Sequence, residues 1–147
     1  MSVVAFVDTN ILIYAHDLDA GLKRERAMAK LRELWDSGTG RLSVQVLQEF
    51  YVNATQKLAT PIARSTAREV IKTYGVWIRH ATTAETITRA TEISDMARIS
   101  FWDALIVASA EEVNADELLS EDLNDGQEIA GIRMVNPLKA GHMVNEP

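Results

Sequence analysis

The chain opens with an unbroken apolar run, Val3-Val4-Ala5-Phe6-Val7, that turns polar at Asp8-Thr9-Asn10. A β-branched and aromatic run without alternation predicts a strand covered on both faces, here the central strand of a parallel sheet. The period then becomes helical. Ile11, Ile13 and Tyr14 mark a short segment, and Ala27, Leu31, Leu34 and Trp35 make one face of a helix over 22–36 that Ser37-Gly38-Thr39-Gly40 ends. A short strand follows at 41–43, and Val46, Leu47, Phe50, Ala54 and Leu58 define a helix over 44–58. Pro61 suits the first turn of a helix over 62–73, and Val76-Trp77-Ile78 reads as extended.

Thr82 or Thr83 caps a helix through Ala97 with the stripe Ile87, Ala90, Ile93 and Ala97, and Ser100 opens another through about Val113. Strands at 117–120 and 132–135, separated by Leu123-Asn124-Asp125-Gly126, complete the pattern. Strands alternating with helices predict an α/β domain, its central sheet mainly parallel and flanked by helices. The chain from 138 to 147 reads as a short frayed tail behind a domain over 1–137.

Composition narrows the chemistry. With 147 residues and 47% hydrophobic content the chain has the size of one domain, able to bury roughly 70% of its unfolded surface. It has no cysteine, which excludes disulfides and thiolate metal sites, and His16, His80 and His142 are too scattered for an imidazole zinc site. A bound metal would be held by oxygen, which favours Mg²⁺ or Mn²⁺. The opening apolar run is too short for a signal-peptide core or a membrane span, and a cytoplasmic location is expected. A net charge of −6 disfavours nonspecific nucleic-acid binding, although Lys23, Arg24, Arg26, Lys30 and Arg32, and again Arg64, Arg68 and Lys72, are local basic groups. Each such group suits a solvated helix face or a rim that guides RNA.

Four acids stand in unusual settings. Asp8 ends the first strand, Glu49 lies within Val46-Leu47-Gln48-Glu49-Phe50, Asp103 lies within Phe101-Trp102-Asp103-Ala104-Leu105, and Asp122 closes Leu119-Ser120-Glu121-Asp122. Each has a plain structural use. Asp8 can cap the next helix, Asp103 fits a capping box with Ser100, Glu49 shares a polar stripe with Gln45, Asn53 and Gln56, and Asp122 and Asp125 suit turns. Taken together, carboxylates gathered at a sheet edge resist ionising side by side and call for a divalent cation, which points to metal-assisted chemistry on phosphate.

These motifs resemble a PIN-domain ribonuclease of the VapC toxin type. The likeness lies in Phe6-Val7-Asp8-Thr9-Asn10-Ile11-Leu12-Ile13-Tyr14-Ala15, Gln48-Glu49-Phe50, Ser100-Phe101-Trp102-Asp103-Ala104-Leu105-Ile106-Val107-Ala108 and Leu119-Ser120-Glu121-Asp122-Leu123-Asn124-Asp125-Gly126, in family order to about Pro137. The resemblance implies a metal-dependent endoribonuclease with Asp8, Glu49, Asp103 and Asp122 as catalytic acids. Asp8, Asp103 and Asp122 would coordinate Mg²⁺ or Mn²⁺ directly, with Asn10, Ser120 and Asp125 in support. Ser120 stands where threonine is commoner, and Asp125 is a second acid that could replace Asp122 at the metal. The resemblance also implies an RNA substrate, a cognate antitoxin and a homodimer, with Leu22, Leu34 and Trp35 as candidates for an antitoxin groove. The competing reading is a catalytically weak PIN-like protein that binds RNA or antitoxin. An aspartyl-phosphate enzyme fits poorly, because Asn10 occupies the place of its second acid.

Overall fold

The computed structural model describes residues 3–139. Its sheet has five strands, β1 (Ala5–Val7), β2 (Gly40–Arg41), β3 (Glu117–Leu119), β4 (Glu128–Ile129) and β5 (Ile132–Val135), in the order β2-β1-β3-β5-β4. All neighbours pair parallel except β4, which runs antiparallel to β5. Of the opening apolar run, Val3 is 49% exposed and only Ala5–Val7 becomes a strand, buried at every residue between β2 and β3. It is interior, but the middle position belongs to β3. β4 carries no strand signal of its own; Gly131, at φ 79°, turns the chain back into β5.

Six α-helices surround the sheet: α1 (Thr9–His16), α2 (Leu22–Ser37), α3 (Val44–Val52), α4 (Arg64–Tyr74), α5 (Ala84–Ala97) and α6 (Phe101–Glu112). Among the described residues none is long and apolar enough to cross a membrane. The predicted helix over 44–58 is α3 followed by a π-helical turn at Asn53–Lys57, which keeps Ala54 buried while rotating the last turn. α4 begins three residues after Pro61, not at it, because the Ile62 amide donates to the Ala54 carbonyl and Ala63 is the N-cap. The stretch expected to be extended at 76–78 is a 3₁₀ turn, Gly75–Trp77, and only Ile78 makes a bridge, to Leu42.

Thr83 caps α5 through a capping box in which Thr86 returns the bond. That choice turns Thr86 inward, fully buried and donating to Glu112, and leaves Ile87 45% exposed, outside the stripe the spacing predicts. α6 is buried from Ala104 through Ala110. It lies against α5, where Arg89 makes a two-pronged bond to Glu111. At the far end Leu138 is 3% exposed, and its carbonyl accepts from Arg26. Residues 140–147 of the predicted tail, with His142, lie outside the described residues.

Candidate active site

Because β1 and β3 are parallel neighbours with Val7 opposite Leu119, the residues that follow them emerge side by side at the carboxyl edge of the sheet. The Asp8 amide donates to the Leu119 carbonyl at 3.0 Å, which fixes that junction. Asp8 then caps α1, its Oδ1 accepting from the Thr9 amide at 2.7 Å. Its Oδ2 accepts from the Ser120 hydroxyl at 2.8 Å. Asn10 reaches across to the same loop: Nδ2 donates to Asp122 Oδ2 at 3.0 Å and Oδ1 accepts from the Glu121 amide. The Ser120 hydroxyl oxygen also accepts from the Asp122 amide. The first and last motifs are thus one hydrogen-bonded unit, although 112 residues separate Asp8 from Ser120.

Glu49 comes from α3, on the stripe that suited solvent. It is held from both sides instead. The Thr9 hydroxyl donates to Oε1 at 2.6 Å, Gln45 Nε2 donates to Oε2 at 3.2 Å, and Asn53 Nδ2 donates to the Glu49 carbonyl. Asp103 comes from the first turn of α6. Only half of the expected capping box forms: Ser100 Oγ accepts the Asp103 amide at 3.1 Å, while the carboxyl lines the pocket with the other acids.

Asp8, Glu49, Asp103 and Asp122 all line one open pocket of about 270 Å³, together with Thr9, Asn10, Ile13, Gln45, Asn53, Trp102 and Ile106. Among the described residues no lysine or arginine lines it. Asp8 is the most buried of the four acids, and burial raises its pKa from 3.8 to about 6; the Ser120 and Thr9 bonds oppose the rise, and the charges of Asp122 and Asp103 add to it. Asp103 is also raised, first by burial and then by Asp122 and Glu49, against the Ser100 bond. The four acids sense one another across a shared space.

Asp125 is placed elsewhere: its Oδ1 accepts from the Asn136 amide and its Oδ2 faces Lys139, so it ties the turn before β4 to the segment after β5. Glu121 also turns away, accepting from Tyr14 at 2.7 Å and pairing with Lys23 at 2.6 Å. Burial would raise its pKa, but Lys23 and Tyr14 outweigh that and lower it. Of the residues proposed as an antitoxin groove, Leu34 is core, Leu22 is 55% exposed, and Trp35 lines a separate concavity of about 720 Å³ between α2 and α4. None of the four acids belongs to that larger concavity.

Among the described residues the pocket offers only oxygen and amide donors, which suits Mg²⁺ or Mn²⁺ and not a thiolate or imidazole metal. Among the described residues no three acidic or histidine side chains already stand close enough together to hold one ion. The donor set fits a cation that keeps part of its hydration shell, the usual state of protein-bound Mg²⁺.

The PIN domain profile matches residues 5–128, which spans β1 through the start of β4 and all four acids. The chain belongs to the PIN-domain family. No curated protein matches this PIN domain by sequence. Among solved structures it is similar to a toxin–antitoxin complex from Klebsiella pneumoniae, at 22% identity and a TM-score of 0.64, covering 90% of this chain and 97% of that one. It is also similar to VapBC2 from Rickettsia felis bound to a promoter DNA fragment (15% identity, TM-score 0.59, 89% and 96% covered). A third is Mycobacterium tuberculosis VapC20, a sarcin-ricin loop cleaving toxin (18% identity, TM-score 0.60, 88% and 98% covered).

The sequence placed Thr9, Gln45 and Asn53 near the right elements without giving them a task. Gln45 and Asn53 stand four residues either side of Glu49, and the helical period puts all three on one face. That the face looks onto other acids is a tertiary fact. Trp102 carried a signal, an aromatic beside a candidate acid, but nothing in the pattern separates it from the core residues that follow.

Proposed function

We propose that this PIN domain is a divalent-cation-dependent endoribonuclease, the VapC-type toxin of a toxin–antitoxin pair, with residues 1–137 as its nuclease domain. The observation that carries the reading is that Asp8, Glu49, Asp103 and Asp122, from four separate elements, line one pocket to which the described residues contribute no basic side chain. An anionic phosphodiester can enter such a pocket only with cations. Asp8, Asp103 and Asp122 would hold Mg²⁺ or Mn²⁺, which when bound supplies positive charge at the phosphodiester and an acidified water. Asn10 and Ser120 keep Asp8 and Asp122 facing each other. Glu49, oriented by Thr9 and Gln45, takes the proton from the attacking water. With water as nucleophile the 2′-hydroxyl is a spectator, and the products carry 5′-phosphates.

The reading extends to an antitoxin and a second copy of the chain. The toxin–antitoxin neighbours support an antitoxin, and the α2–α4 concavity offers it Leu18, Met28 and Trp35. An apolar surface of Val44, Leu47, Tyr51 and Val52 on α3, Ile71 on α4 and Ile78 after the 3₁₀ turn suits a homodimer. The test is incubation of cellular RNA with purified protein in Mg²⁺ or Mn²⁺. Discrete 5′-phosphate cuts absent with EDTA and with Asp103→Asn are expected; cyclic-phosphate ends, or cuts that persist in EDTA, contradict the reading.

A further inference from the structure

Trp102 is 62% exposed although it stands in the first turn of α6, whose later residues are buried almost without a break. Isolated exposed apolar side chains are ordinary on protein surfaces. This one lines the acidic pocket, as the immediate neighbour of Asp103 and the only aromatic among the described residues there. Its indole is steadied from behind by Phe101, with ring centroids 5.0 Å apart and nearly perpendicular planes. The ring therefore adds little to the core and stands beside the acids.

The rest of the pocket explains what such a ring is for. Among the described residues its lining has no lysine or arginine to grip a phosphate backbone, and the chain carries a net charge of −6. Affinity for a nucleic acid at this point has to come from the cation and from a contact that is not electrostatic. Base stacking is that contact, because every nucleobase has a π face and an exposed indole complements it. The geometry points to Trp102 as a nucleobase platform: it stacks on an unpaired base next to the scissile phosphate and so selects single-stranded or looped RNA. This rests on the nuclease reading and adds its substrate class. A base inside a duplex already has both faces covered by its neighbours and has none to offer. Stacking reads the face and not the edges of a base, so Trp102 favours unpaired structure over a particular sequence.

The test uses a short single-stranded RNA containing a mapped cut site, with an abasic residue placed in turn on each side of the cut. Trp102→Ala and Trp102→Leu are expected to lower kcat/KM by about 5- to 150-fold, the scale of one stacked base, while Trp102→Tyr keeps it within about threefold. One abasic position should cost the wild-type protein the same factor and cost Trp102→Ala almost nothing more. Unchanged cleavage by Trp102→Ala, full activity in Trp102→Leu, or an abasic penalty undiminished in Trp102→Ala would each overturn the platform. A wild-type protein that cleaves no RNA overturns the nuclease reading and the platform with it, whereas normal cleavage without coupling overturns the platform alone.

Discussion

Replacing Asp8 with asparagine should make the metal-free protein more stable while destroying its function. Asp8 is 6% exposed, and burial holds its pKa near 6 against 3.8 in the unfolded chain. Between those values the folded state binds more proton than the unfolded one, so stability falls as pH rises through that window. Below pH 3.8 both states are protonated and there is no loss; above about 6 both are ionised and the whole cost stands. At about 1.4 kcal/mol per pH unit, the displacement amounts to about 3 kcal/mol. Asparagine removes the charge and keeps an oxygen for the Thr9 amide, but it gives up the bond from the Ser120 hydroxyl, whose oxygen already accepts from the Asp122 amide and from Asn10. Part of the gain is lost with that charged bond, leaving about 1 to 3 kcal/mol, or about 2 to 4 °C per kcal/mol in a domain of this size. Thermal melts in EDTA should show Asp8→Asn above wild type at pH 7.5 and the gap nearly closed at pH 4. Added Mn²⁺ should raise the wild-type midpoint and leave the variant's unmoved. An Asp8→Asn protein less stable than wild type at pH 7.5 without metal refutes the electrostatic reasoning.

Thr9→Val, which removes the 2.6 Å bond to Glu49, should lower kcat about tenfold with little change in KM, the scale of one charge-assisted bond, measured by steady-state RNA cleavage. Gly40→Ala would place a methyl group 2.6 Å from the Trp77 ring, which is 4% exposed and packed against Tyr74 and Trp35; a lower urea midpoint, by about 1 to 3 kcal/mol, is expected. Ser100→Ala loses the cap of α6 and should cost about 1 kcal/mol in the same urea titration.

The fold was legible wherever one periodic signal dominated. The first apolar run, the stripes of α2 and α3 and the caps at Ser100 and Thr83 all became the elements their patterns predict. Misreadings came where a tertiary bond overrode a local preference. Pro61 suits a first turn, yet the Ile62 amide is taken by Ala54 and the helix starts later. Ile87 suits a stripe, yet Thr86 wins the inward place through its bond to Glu112. The site was legible by its acid types and not by its assembly. Spacing could not show that Glu49's stripe faces other carboxylates, because parallel pairing of β1 with β3 and the packing of α3 set that. It also could not separate Asp122 from Asp125, two turn aspartates that tertiary bonds tell apart, Asn10 reaching the first and the Asn136 amide the second.

The central claim is that one acidic pocket holds the cation that drives RNA cleavage. Mn²⁺ occupancy, followed by electron paramagnetic resonance, and the cleavage rate should be measured on the same samples across a Mn²⁺ titration. The account predicts that rate follows occupancy in the wild type and that both collapse in Asp103→Asn. Full cleavage without bound Mn²⁺, or Mn²⁺ bound undiminished by Asp103→Asn, would contradict it.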